Sequence, residues 1–98
     1  ASDVYKRQSL FPPYPNPFNS SVVMRFRISE AARVRLDICD PQGRTVRSIT
    51  QGYLQAGEHR FLWDGRDEEG RKAASGMYLC RLDVQGKGSA VRRMALVR

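Results

Sequence analysis

The alternation of side chains in "SVVMRFRI" (residues 21–28) and "RVRLDIC" (residues 33–39) restricts this chain more than any other feature. Val22, Met24, Phe26 and Ile28 fall at every second position with Val23, Arg25 and Arg27 between them, and Val34, Leu36 and Ile38 alternate with Arg33, Arg35 and Asp37. A period of two marks a strand with one wet face, and no stretch of the sequence carries the 3.6-residue period of an amphipathic helix. Pairing the two segments as an antiparallel hairpin sets Ile28 opposite Val34 and Phe26 opposite Leu36, with Arg25 opposite Asp37 on the wet face. Further strands follow at 44–49, where Val46 and Ile49 pack, and at 59–63, where Phe61 and Trp63 share a face. Strands at 77–84 and 89–98 complete the set. "DPQG" (residues 40–43) has the chemistry of a type I turn closed by a glycine bulge, and "QGKG" (residues 85–88) that of a hairpin turn. Residues 51–59 read as a loop with a glycine turn at Gly57 leading into the strand at 59–63, and residues 64–76 as a polar loop. The pattern predicts an all-β fold, an antiparallel β-sandwich of about six or seven strands, with Trp63 anchoring the core.

Catalysis finds little support in the residues. The only histidine, His59, lies between Glu58 and Arg60 on a strand with no nucleophile in evidence, and reads as a half-exposed strand residue. Asp64, Asp67, Glu68 and Glu69 miss the ligand spacing of an EF-hand and are interleaved with Arg66, Arg71 and Lys72. A solvated loop is expected there, with Asp64 or Asp67 bonding local backbone N–H groups. No enzyme, metal or cofactor is predicted. The net charge of +7 sets 14 Arg and only 3 Lys against 10 acidic residues, the arginines are scattered over different strands, and Tyr14, Tyr53 and Tyr78 are too far apart in sequence to form a stacking platform, so nucleic acid is not a predicted partner. No run of about 18 apolar residues is available to span a bilayer, and a monomer is expected. Cys39 is out of step with the inward residues of its strand while Cys80 is in step with Tyr78, Leu82 and Val84, so the two thiols are expected to be free.

Two segments precede the first long strand. "DVYKRQ" (residues 3–8) resembles the translated end of a transposon used to fragment DNA for sequencing, so residues 1–8 are set aside as a scar and the natural protein is expected to be longer. Residues 9–19 contain Pro12, Pro13, Pro15 and Pro17 and read as a stiff, extended lead-in held outside the sheet, leaving residues 20–98 as the folded domain.

"YPNPFN" (residues 14–19), "DPQGRTVR" (40–47), "AGEHRFLWDGRDEEGR" (56–71), "SGMYLCRL" (75–82) and "RRMALVR" (92–98) together resemble the type A C-terminal sorting domain of cargo exported by the type IX secretion system. They resemble equally the immunoglobulin-like domain of flagellar hook-capping proteins. The first resemblance implies a non-catalytic immunoglobulin-like sandwich that directs a larger protein through the periplasm to the cell surface or the medium. Its implied partners are the export machinery of the outer membrane and a covalently linked upstream passenger. By position, Tyr14, Pro15, Asn16, Pro17, Phe18 and Asn19 would be the lead-in motif, and Met94, Ala95, Leu96, Val97 and Arg98 the recognition element at the terminal strand. The second resemblance implies a structural domain of a hook-capping or cell-surface assembly protein, built from the same residues.

Overall fold

The computed structural model describes residues 9–98, so the proposed scar at residues 1–8 lies outside the described residues. Seven strands occur among the described residues: β1 (Ser9–Leu10), β2 (Val22–Ile28), β3 (Ala32–Cys39), β4 (Thr45–Leu54), β5 (Gly57–Trp63), β6 (Gly76–Val84) and β7 (Gly88–Leu96). They form a three-stranded sheet in the order β1-β2-β5 and a four-stranded sheet in the order β4-β3-β6-β7, every ladder antiparallel. The inward rows of both sheets close one core: Val22, Met24 and Phe26 of β2 meet Val34, Leu36 and Ile38 of β3, with Cys80, Leu82 and Met94 behind them.

Two sequence expectations are corrected here. β2 and β3 are not a hairpin, because β2 pairs with β1 and β5 while β3 pairs with β4 and β6. Phe26 and Leu36 both enter the core, but from opposite sheets, and Arg25 pairs with Glu58 at 2.9 Å instead of facing Asp37. Alternation reports which face of a strand is buried; it carries no information on which strand lies alongside. The loop expected over 51–59 is also largely strand, since β4 runs on to Leu54 and β5 begins at Gly57. β4 is an edge strand, and two register shifts of β3 against it, at Leu36/Asp37 and Ile38/Cys39, break the regular alternation by which it would be recognised.

Trp63 is fully buried and its ring lies edge-on to Phe18 at 5.7 Å and to Tyr78 at 5.2 Å. Its Nε1–H donates to the Arg66 carbonyl at 2.9 Å, so the indole is satisfied at its polar atom as well as its faces. Cys80 points into the core and burial pushes its thiol up to about 12, whereas Cys39 lies on the outer face of the same sheet; both are free. Asp37 is on the outer face, as alternation requires, yet buried, with Oδ2 accepting from Arg35 Nε at 2.7 Å.

Replacing Trp63 removes the largest core side chain from a chain of ordinary marginal stability, so Trp63→Ala is expected to cost about 3–5 kcal/mol in urea unfolding. Its exposed neighbour is a control, and Leu62→Ala is expected to change stability by less than about 0.5 kcal/mol.

Candidate functional site

The lead-in motif and the terminal recognition element that the resemblance implies are brought together in one place. Phe18 makes a parallel bridge to Leu96: its N–H donates to the Ala95 carbonyl at 2.9 Å, and its carbonyl accepts from Val97 N–H at 2.8 Å. Two residues earlier, Asn16 uses its amide as a substitute strand, with Nδ2 donating to the Arg93 carbonyl at 3.0 Å and Oδ1 accepting from Ala95 N–H at 2.9 Å. Residues 9–19 are therefore not a free lead-in. Leu10 and Phe18 are buried, Ser9–Leu10 pairs with β2, and Tyr14 bridges Val23.

This arrangement revises the terminal recognition element. Met94 and Leu96 are sealed in the core, and the outward backbone of Arg93, Ala95 and Val97 is taken by Asn16 and Phe18. Of the five residues, Val97 alone offers a largely exposed apolar side chain. The Arg98 guanidinium folds back, Nε to the Ala73 carbonyl at 2.8 Å and Nη2 to the Gly65 carbonyl at 2.7 Å, while its N–H meets Ser75 Oγ at 3.0 Å. Gly65 permits this: a Cβ there would sit 2.9 Å from Arg98 Nη2, and its φ of +75° favours glycine.

Beside this junction lies a pair of matching loops. Asp40–Pro41–Gln42–Gly43–Arg44 and Asp67–Glu68–Glu69–Gly70–Arg71 share the pattern D-x-x-G-R, and they fold as twins. In the first, Asp40 Oδ1 accepts from the N–H of Gln42 at 3.0 Å and of Arg44 at 2.9 Å, and Oδ2 accepts from Arg44 Nε at 3.0 Å. In the second, Asp67 Oδ1 accepts from Glu69 and Arg71 N–H at 3.0 and 2.9 Å, and Oδ2 from Arg71 Nε at 3.1 Å. Gly43 and Gly70 close the turns at φ of +91° and +84°. The Asp67 half bears out the expected local bonding of this loop, and Asp64 adds to it by accepting from Arg66 N–H at 3.1 Å. The repeat was legible in the sequence as two D-x-x-G-R strings; only their side-by-side placement was not. Both loops line a shallow cleft of about 590 Å³ with Lys72 and Tyr78. Their carboxylates are held by local donors, an arrangement suited to fixing loop shape.

His59 is half-buried on the Phe61 and Trp63 side of β5, and its Nε2 lies 2.7 Å from the Gln55 carbonyl.

Two antiparallel sheets, three strands facing four, around a central tryptophan make this an immunoglobulin-like domain. The FlgD Ig-like domain family matches residues 18–90, and the chain belongs to that family. The basal-body rod modification protein FlgD of Salmonella typhimurium is 36% identical over 59 residues, covering 60% of this chain and 25% of that protein. The chain thus spans about a quarter of the curated relative it matches. Among solved structures, dimeric latent PorU from Porphyromonas gingivalis superposes with a TM-score of 0.71 at 25% identity, over 92% of this chain and 9% of PorU. PorZ, an essential surface component of the type-IX secretion system of the same organism, gives 0.59 at 26% identity over 91% of this chain and 11% of PorZ. FlgD from Xanthomonas campestris, described in the context of hook capping, gives 0.57 at 23% identity over 92% and 67% and supports the fold.

Removing the Asn16 amide deletes two hydrogen bonds to β7, so Asn16→Ala is expected to lower stability by about 1–2 kcal/mol and to accelerate hydrogen exchange at the Ala95 amide. The twin loops give a pH test. The Arg71 backbone N–H, with its guanidinium and the Glu69 N–H, holds Asp67 below the usual carboxylate range, and the Arg44 N–H does the same for Asp40. Their contribution is therefore present above about pH 4 and is lost as pH falls through the lowered folded values. Asp67→Asn is expected to flatten the fall in melting temperature between neutral pH and pH 2, measured against the parent chain.

Proposed function

We propose that this chain is a non-catalytic assembly domain of a hook-capping type of protein, working outside the cytoplasm as a rigid packing module of a larger polypeptide. The family match over residues 18–90 carries this reading, supported by the 36% identity to a flagellar FlgD. The geometry agrees with a module of this kind. The Asp67 carboxylate is engaged by the backbone of its own loop, and the one histidine meets a backbone carbonyl in place of a nucleophile. The test is a chimera in which the matching segment of Salmonella typhimurium FlgD is replaced by residues 18–98. Motility restored above the deletion strain is expected. A stably produced chimera that leaves cells without hooks would sink the reading.

The likeness to PorZ favours a second reading, a sorting domain read by the outer-membrane export machinery with a passenger upstream. Its geometry directs the test to the exposed end of the terminal segment, because deleting Met94–Arg98 would remove core side chains and unfold the domain. Residues 9–98 fused to a periplasm-directed reporter should reach the medium of a host with type IX machinery, and Val97→Asp should reduce that export. Equal export of both fusions would count against sorting at this site.

A further inference from the structure

The sandwich closes one side and leaves the other open. β1 takes in two of the described residues, and the edge of β7 from Arg93, with Val97 just past its end, is covered by Asn16 and Phe18, while Arg92 Nε reaches across to the Leu10 carbonyl at 2.8 Å. On the opposite side β4 is broken by its register shifts, and its Ser48 N–H is taken by Glu68 Oε2 at 2.6 Å. β5 has no such cover among the described residues.

Its free groups follow from the ladder. In an antiparallel pair only alternate residues bond toward a given neighbour. Arg25 and Val23 bond toward the β1 side, through Phe11 N–H at 2.9 Å and the reciprocal Tyr14 pair at 3.0 and 2.8 Å. Val22, Met24, Phe26 and Ile28 therefore bond toward β5, to Trp63, Phe61, His59 and Gly57. The N–H and C=O of Glu58, Arg60 and Leu62 point the other way, out of the sheet.

The side chains along this edge are ordered in rows across the outer face. Tyr14, Val23 and Leu62 form an apolar row, with Tyr14 76% and Leu62 56% exposed. The next row is Phe11, Arg25 and Arg60, in which the Arg25 guanidinium covers the Phe11 ring at 4.8 Å and Arg60 has no acidic partner among the described residues. On the inner side Phe61 is only partly buried, so the core itself is unfinished at this margin.

We infer that β5 is a strand acceptor for an extended segment of another protein that carries an apolar residue opposite Leu62 and an acidic residue opposite Arg60. The segment adds a fourth strand to the β1-β2-β5 sheet through the backbone of Glu58, Arg60 and Leu62, and it covers Phe61 from the side. The rows fix its chemistry, because cross-strand neighbours on one face select each other by polarity and charge. The unpartnered Arg60 opposes a basic segment and favours an acidic one. The biological setting rests on the reading as an assembly domain, but the acceptor edge is tested on the chain alone, so a failed FlgD chimera and a failed strand addition are separate results.

The probe is a blocked peptide, Thr-Val-Ile-Glu-Val-Thr-Ser, added to the full 98-residue chain, with a twin in which lysine replaces the glutamate. Amide hydrogen exchange at Arg60 and Leu62 is expected to slow on saturation with the glutamate peptide, and the lysine twin is expected to bind several-fold more weakly. Leu62→Pro removes an outward N–H without touching the β2 ladder and should abolish the protection, with Trp63 fluorescence reporting that the fold survives. Arg60→Glu should reverse the preference between the two peptides, which a merely structural role for this residue would not do. The proposal is overturned if millimolar peptide protects no β5 amide, if protection falls on Ser89 and Val91 of β7, or if the chain alone dimerises through β5.

Discussion

Trp63 is the contact on which the rest of this domain depends. Its ring is held between Phe18 of the lead-in segment and Tyr78 of β6, while its Nε1–H fixes the carbonyl of Arg66 at the start of the polar loop. One side chain thereby ties the three-stranded sheet to the four-stranded one and sets where the loop that carries Asp67 begins. A buried indole donor without an acceptor would be costly, so the loop path and the core packing are fixed together.

A second level of organisation is the fate of the sheet edges. An exposed strand edge invites pairing with another chain, and this domain deals with its edges unequally. The lead-in segment, through Asn16 and Phe18, supplies four hydrogen bonds to the outer edge of β7 and makes the two ends of the chain one structural unit. For the sorting reading this has a direct consequence: a partner that pairs with the terminal strand must first displace that segment. Among the described residues no segment covers the β5 edge in this way.

The twin D-x-x-G-R loops show the same economy in a different place. Each aspartate caps its own turn with two backbone N–H groups and its own arginine, so the acidic run that invites a metal reading is largely satisfied within the loops. The carboxylate of Asp67 is committed to Glu69 and Arg71, and Glu68 reaches away to the Ser48 N–H.

The residues themselves determined the inward rows. Val22, Met24, Phe26, Val34, Leu36, Ile38, Trp63 and Cys80 are buried where alternation placed them, the turn at Gly43 has its positive φ, and Cys39 and Cys80 lie on opposite faces. These properties are local, since a side chain's face follows from its parity along one strand. Strand partnership is not local. That β2 pairs with β5 and not with β3, that Asn16 caps a strand 77 residues away, and that the two D-x-x-G-R strings lie side by side are decided only when both sheets close on a common core, because the hydrogen bonds that choose neighbours are made between segments whose sequences carry no mark of each other.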